Sequence, residues 1–148
     1  TLKHTLWYKN LDSEYSVVGD ECLVKVITDN YTMEIPNNIK YISRVTDSAL
    51  SEDKLSPNVK HIQFGNNVQS LLPFAFNGSA IESILFNDGL IEIGQQAIAS
   101  CRELKFLCIP NSVKTIGYGA FSYSSSLECV VLPEKLETIN DNAFDGCY

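Results

Sequence analysis

The chain is poor in the residues that carry chemistry. Its 148 residues hold two histidines, His4 and His61, one tryptophan and one methionine. Positive charge is scarce as well: 11 Lys and Arg stand against 18 Asp and Glu, a net charge of -7. Such a surface repels phosphate backbones, and no local basic cluster offsets it, which argues against a nucleic-acid partner. No uninterrupted apolar run approaches the roughly 18 residues of a membrane-spanning helix, so direct membrane insertion is not expected. The five cysteines form no Cys-x-x-Cys pair of the zinc-binding kind, and no cofactor is implied. The opening TLKHTLWYKN lacks a signal-peptide core. The absent initiator Met and the stop after Phe144-Asp-Gly-Cys-Tyr148 read as an excised piece of a longer chain, with more coils expected beyond it.

What is present is a repeat. At 45% hydrophobic and 20% charged, the chain has the composition of one globular domain. Four segments align: VKHIQFGNNVQSLLPFAFNGSA (59–80), IESILFNDGLIEIGQQAIASCRE (81–103), LKFLCIPNSVKTIGYGAFSYSSS (104–126) and LECVVLPEKLETINDNAFDGCY (127–148). Their alanines Ala75, Ala97, Ala120 and Ala143 are separated by 22, 23 and 23 residues. Position 1 is Val59, Ile81, Leu104 or Leu127; position 4 is Ile62, Ile84, Leu107 or Val130; position 6 is Phe64, Phe86, Ile109 or Leu132. This spacing predicts a strand with positions 1, 4 and 6 turned inward. Pro110 and Pro133 are expected to stop two of the strands, because proline cannot donate to a ladder.

A second apolar pair follows, Val68/Leu71, Leu90/Ile93, Val113/Ile116 and Leu136/Ile139, and then Gly94, Gly117 or Asn140. These last residues are expected to take a left-handed turn, with Leu72 a departure whose turn differs. Phe76, Ile98, Phe121 and Phe144 are the expected plugs of the opposite wall. Position 2 alternates Lys60, Glu82, Lys105, Glu128, which predicts a ladder of opposite charges. Upstream, residues 35–42 match residues 109–116, and Ala49-Leu50 arrive late. Residues 35–58 therefore read as a degenerate first repeat with an insertion, SEDKLSPN (51–58) being its exposed loop. Residues 1–34, with the only Trp at position 7, read as an amino-terminal β-hairpin-like cap.

The phrases IPNSVKTIGYGAFSYSSSL (109–127) and LPEKLETINDNAFDGC (132–147) resemble the BspA-type leucine-rich repeat, whose pattern joins Ile-Pro, Ile-Gly and Ala-Phe at this length. The resemblance covers 59–148 well and 35–50 partly. Departures are Leu72, Ile98 and the missing prolines after Phe64 and Phe86. The resemblance implies a β-rich (α+β) leucine-rich-repeat solenoid: a right-handed superhelix with a parallel concave sheet, short helical or 3₁₀ turns and a β cap. It also implies a non-catalytic surface or secreted protein, extracellular or cell-surface in location, working in adhesion or in binding host or matrix proteins.

Cys101 and Cys147 hold equivalent places in the second and fourth copies, about 10 Å apart at the spacing of stacked strands, and read as small buried thiols. Cys108 and Cys129 fall on adjacent strands, two positions out of line and roughly 8 Å apart, so mostly free thiols are expected. His61 lies two coils from Cys108, too far for a nucleophile–base pair. Asn140, Asp141, Asn142, Asp145 and Gly146 miss the spacing of a calcium loop and read as turn caps. Asn30 and Asn77 open glycosylation sequons, meaningful only in a secreting eukaryote.

The outward strand positions are the most informative surface. Position 3 reads His61, Ser83, Phe106, Cys129, and position 5 reads Gln63, Leu85, Cys108, Val131. A merely solvated face would be mostly polar, yet five of the eight are apolar, which marks an interface with Phe106 as its anchor. Its occupant is open at this point: a partner protein, a second copy, a neighbouring domain, the amino-terminal cap or a small molecule. The leading functional reading is a protein-binding adhesion module and the second a structural spacer or self-association element; a third, an accessory solenoid of an enzyme, finds no chemistry in these residues.

Overall fold

Each coil changes its apolar spacing twice, and each change turns the chain onto a new wall. The computed structural model describes residues 15–18, 22–26, 31–46, 55 and 57–148. Their strands in chain order are β1 (Tyr15–Val18), β2 (Cys22–Val26), β3 (Thr32–Glu34), β4 (Tyr41–Thr46), β5 (His61–Gln63) and β6 (Ser70–Leu71). They continue as β7 (Ser83–Leu85), β8 (Glu92–Ile93), β9 (Phe106–Cys108), β10 (Thr115–Ile116), β11 (Cys129–Val131) and β12 (Thr138–Ile139). From residue 59 on, each coil contributes one strand to a first wall (β5, β7, β9, β11), one to a second (β6, β8, β10, β12), and a run of turns to a third. Coils one to four span 59–80, 81–103, 104–126 and 127–148. The fold is therefore the parallel leucine-rich-repeat solenoid that the spacing predicted.

The core is a column of repeat positions. Val59, Ile81 and Leu104 are buried, as are Ile62 and Leu107, Val68, Leu90 and Val113, and Leu71, Ile93 and Ile116. At about 1.5–3 kcal/mol for each fully buried large side chain, several per coil offset the ordering entropy of its backbone. Phe121 and Phe144 stack at 5.1 Å, and Phe64 meets Phe86 edge to face at 5.2 Å. In coil four the inward residues Leu132 and Ile139 are exposed.

The walls differ in how they are bonded. The second wall is one seven-stranded sheet in the order β1-β2-β4-β6-β8-β10-β12, parallel throughout except for the antiparallel pair β1–β2. The first wall is two sheets, β3-β5-β7 and β9-β11. Strand β3, grouped with the cap in the sequence reading, pairs in repeat register with β5: Met33 lies beside Ile62. Tyr41 and Ile42 pair with Ser70 and Leu71, the alignment expected for residues 35–42. Of the insertion, Ala49, Leu50 and 51–54 lie outside the described residues, as does Trp7. Leu55 is buried against the core, so the expected exposed loop carries an apolar anchor.

The third wall consists of single turns that never extend into helix among the described residues. Within a coil, Ala75, Asn77 and Ser79 donate to the carbonyls of Leu72, Phe74 and Phe76, the three-residue spacing of 3₁₀ bonding. Between coils, the Phe74, Phe76 and Gly78 amides donate to Gln95, Ala97 and Ala99 at 3.0, 2.7 and 2.8 Å. Gln96, Ile98 and Ser100 repeat this to Tyr118, Ala120 and Ser122. Aiming alternate amides along the solenoid axis requires left-handed residues at two places per coil. Phe74, Gln96, Gly119 and Asn142 fill the first, and Gly78, Ser100, Tyr123 and Gly146 the second, with φ between 47° and 72°.

This corrects the expectation for Gly94 and Gly117, neither of which is left-handed. They are glycine because the coils touch there: an added Cβ would lie 2.5 Å from the Leu71 carbonyl oxygen at Gly94 and 2.6 Å from the Gly94 carbonyl carbon at Gly117. Leu72 does not alter its turn either, since its amide donates to Ile42 at 2.8 Å just as that of Gly94 donates to Leu71.

A second repeated device ties the third wall. The Cys101 thiol donates to the Phe76 carbonyl at 3.3 Å, the Ser124 hydroxyl to Ile98 at 3.0 Å and the Cys147 thiol to Phe121 at 3.1 Å. The buried Ser79 stands at the same position in coil one. The small buried thiol expected there is thus one of two interchangeable donors to the coil before it.

The two kinds of glycine separate in stability. Gly117→Ala, which drives a methyl into backbone, is expected to cost about 2–3 kcal/mol. Gly119→Ala meets the side chains of Gln96 and Ser122, each at 3.2 Å, at a left-handed position that other coils fill without glycine, and is expected to cost about 1 kcal/mol. Urea midpoints of the two variants check the ordering.

Candidate functional site

Side chains alternate across a strand, so with Ile62, Ile84 and Leu107 pointing inward, the flanking residues of each first-wall strand point outward. The pairing aligns His61 with Ser83 and Gln63 with Leu85, and it aligns Phe106 with Cys129 and Cys108 with Val131. All eight candidate residues therefore lie on one face in the two columns expected. Thr32 and Glu34 of β3 extend those columns by another rung, which the sequence reading missed; the alternation of buried Met33 and Ile35 was its signal.

The face is divided along the solenoid axis. Toward the amino terminus it is polar: His61 Nδ1 lies 2.7 Å from Ser83 Oγ, and the His61 ring meets Tyr31 edge to face at 4.7 Å. Toward the carboxyl terminus it is apolar, with Leu85, Phe106 and Val131 respectively 64%, 60% and 54% exposed and Cys108 and Cys129 exposed beside them. His61 is absorbed by its two neighbours, and Cys108 stands two coils away.

The thiols sort into two kinds. Cys101 is fully buried, and burial pushes its pKa up to about 12, with backbone hydrogen bonds from Ser79 and Gly78 only partly opposing this. Cys147 is raised too, chiefly by burial. Both remain protonated donors at neutral pH. Cys108 and Cys129 are exposed, and the register sets them diagonally on neighbouring strands, beyond the reach of a disulfide.

The expected charge ladder is largely absent. Lys60 approaches Glu82 only to 3.9 Å and instead closes on Glu103 at 2.6 Å, while also donating to the Ala80 carbonyl. The Glu82–Lys105 rung falls where the first-wall sheet breaks. A rung unforeseen from sequence, Lys114–Glu137 at 3.0 Å, flanks the second wall. The calcium-loop candidates serve the turns: Asn140 donates to Ile116, Asn142 to the Tyr118 hydroxyl, and the Asp145 carboxylate beside Tyr123 raises that phenol's pKa. Asn30 lies outside the described residues. Asn77 Nδ2, the atom a glycan would take, is half-buried against the Gln96 carbonyl, and Ser79 of its sequon is buried. Two open, polar hollows, one around Asn77–Ala80 and Arg102 and one around Pro36 and Asn66, lie away from Phe106.

In native protein, Cys108 and Cys129 are expected to react with an aromatic disulfide reagent within minutes and Cys101 only after unfolding, checked by mass mapping of the labelled peptides. The raised pKa of Cys101 also fixes a sign. Its contribution to stability is complete below the unfolded thiol's pKa of 9.0 and falls as pH rises toward about 12, because only the unfolded chain releases the proton in that window. Cys101→Ser is expected to lose less stability between pH 9 and 11 than the parent, read from urea midpoints.

Comparison with known proteins agrees with this geometry. The BspA type leucine rich repeat region family matches residues 16–148 in six copies, a span that includes β2 and all but the first residue of β1. A T. pallidum leucine-rich repeat protein superposes with a TM-score of 0.76 at 24% identity, over 90% of this chain and 64% of its own. A leucine-rich cell surface protein of Faecalibacterium prausnitzii gives 0.73 at 24%, over 90% and 35%, and the pneumococcal vaccine antigen PcpA gives 0.66 at 21%, over 86% and 38%. The chain thus spans less than two thirds of the length of each of these. No curated protein sequence matches it. With its repeat spacing, its coil geometry and nearly all of its length in agreement, the chain belongs to the BspA-type leucine-rich-repeat family.

Proposed function

We propose that this chain is a non-catalytic protein-binding module of a surface-displayed or secreted protein, and that it binds a protein partner through the outward first-wall face. The observation that carries this reading is the apolar half of that face: Leu85, Phe106, Cys108, Cys129 and Val131 are exposed side by side on three successive coils. Exposed contiguous apolar surface weakens solubility unless something covers it. Phe106, an exposed aromatic amid smaller neighbours, has the character of an interface anchor.

The surroundings fit binding better than chemistry. The histidine and the thiols of this face are either tied to neighbours or set apart from one another, and the two open, polar hollows lie away from Phe106, one of them bordered by Glu34 and Gln63 at the polar end of the face. Surface display is supported by the family and by the cell surface protein of the same fold. In this reading the β1–β2 hairpin covers the amino-terminal end of the second wall, and the first repeat with its insertion links that cap to the four regular coils.

Replacing Phe106 by Asp leaves the core untouched and removes the anchor. Partner capture by the full-length protein is expected to fall at least about tenfold, the loss typical of an anchor residue. A change of oligomeric state in sedimentation velocity, with capture unaffected, would instead support the self-association alternative. Capture and oligomeric state both unchanged would overturn the assignment of this face as an interface.

A further inference from the structure

We propose that Tyr123 and Asp145, on the turn wall where coils three and four meet, seat an arginine side chain of a partner polypeptide. This contact lies on a different wall from Phe106 and stands independently of the binding reading of the first-wall face.

Tyr123 occupies the second left-handed place of its coil, at a φ of 59°, where the other coils have Gly78, Ser100 and Gly146. A bulky residue adopts that conformation at a cost that burial ordinarily offsets. Tyr123 gains little burial, since it is 55% exposed. Its backbone is fixed in the wall, the amide donating to the Asp145 carbonyl at 2.6 Å, so the exposed part is the side chain. The same turn holds a second unmet cost, for the Ser122 hydroxyl is buried without a hydrogen-bond partner. Strain and an orphaned hydroxyl behind an exposed ring point to a turn shaped for binding more than for packing.

The ring is laid across the wall onto the next coil. A Cβ added at Gly146 would lie 2.6 Å from Tyr123 Cδ1 and 3.0 Å from Cε1. Gly146 is accordingly buried, whereas its equivalents Gly78 and Ser100 are half-buried. The exposed Asp145 carboxylate stands beside the phenol and raises its pKa, with no cation near enough to lower it. Tyr118, 46% exposed, reaches toward coil four as well, its hydroxyl accepting from Asn142 Nδ2 at 2.8 Å.

Charge selects the occupant. The turns of the four coils, 72–80, 94–101, 117–126 and 140–148, carry two charged residues, Asp141 and Asp145. Both are exposed, and neither forms an ion pair among the described residues. The basic residues of these coils lie elsewhere. Lys60 is held by Glu103 and Lys114 by Glu137, and Arg102 borders the hollow around Asn77–Ala80. Lys105 precedes β9 on the first wall, and Lys135 lies in the turn from the first wall to the second. An exposed ring with an uncompensated carboxylate at its rim suits a cation. A guanidinium suits it better than an ammonium, because its plane lies on an aromatic face while its N–H edge meets a carboxylate.

NMR titration of this chain with the blocked tripeptide Ac-Gly-Arg-Gly-NH₂ tests the seat. The arginine peptide is expected to shift the amides of Tyr123, Asp145 and Gly146 saturably. Peptides with lysine or neutral citrulline in its place are expected to bind at least about threefold more weakly. Ser100 fills the equivalent place in coil two, so Tyr123→Ser keeps the coil. Tyr123→Ser and Asp145→Asn should each weaken the arginine peptide about threefold, while Tyr123→Phe, which keeps the ring, should not. Phe106→Ser should leave this binding unchanged, which separates the seat from the first-wall face. Equal affinity for the citrulline or the lysine peptide, indifference to both Tyr123→Ser and Asp145→Asn, or an equal loss in Phe106→Ser would each overturn the seat. Saturable shifts of these amides by cellobiose, with none from the arginine peptide, would overturn it as well and assign the ring to a sugar.

Discussion

The spacing between coils, held by backbone hydrogen bonds at about 4.8 Å, is the constraint on which the rest of the molecule depends. It is set chiefly where side chains have the least say. On the turn wall alternate amides reach the next coil, and on the second wall β4, β6, β8, β10 and β12 run as one parallel ladder. Once that distance is imposed, every repeat position becomes a column. A residue type then succeeds or fails according to what stands one coil away. Gly94 and Gly117 follow directly, since each lies against the backbone of the coil before it and leaves no room for a methyl group. The alternation of Cys and Ser at Ser79, Cys101, Ser124 and Cys147 follows as well. A short side chain with one hydrogen to donate is what the carbonyl of the preceding coil can use, and thiol and hydroxyl both meet that need.

Much of this was legible in the residues, and the parts that were not share a cause. Inward and outward positions follow from apolar spacing because burial is a property of side chains, and the columns of Ile62 and Phe106 fall where that spacing puts them. The left-handed positions do not announce themselves. Phe74, Gln96, Tyr123 and Asn142 adopt them because bonds to the next coil over-determine the backbone, and the conformational cost is met by the assembly. A search for glycine at those places therefore settles on Gly94 and Gly117, whose reason is close approach. The charge ladder failed because side-chain reach, more than strand register, chooses the partner: Lys60 leaves Glu82 at 3.9 Å and closes on Glu103 at 2.6 Å, and the Glu82–Lys105 step falls where the first wall is interrupted.

Packing leaves the two outward columns of the first wall free, and their composition is accordingly the least predictable from the fold. The core positions accept a few aliphatic and aromatic residues of similar size, whereas the outward positions range from His61 through Ser83 to Phe106 and Cys129. That freedom allows one scaffold to carry different binding surfaces, and it is why similarity to other leucine-rich-repeat proteins at 21–24% identity speaks to the coil and not to its ligand. The polar half of this face satisfies itself, with His61, Ser83 and Tyr31 in mutual contact. The apolar half has no such internal partner.

The place where backbone regularity fails coincides with the place where the surface is most apolar, and the two are linked through Leu85 and Phe106. In an unbroken ladder, flanking strands sit close enough for diagonal side chains to lean on one another and shield apolar area. The interruption between β7 and β9 removes that shielding from Leu85 and Phe106, and Phe86 beside it is only partly buried where Phe64 and Ile109 are buried. The other two walls stay bonded across the same coils, so the interruption is confined to the face that carries the apolar patch.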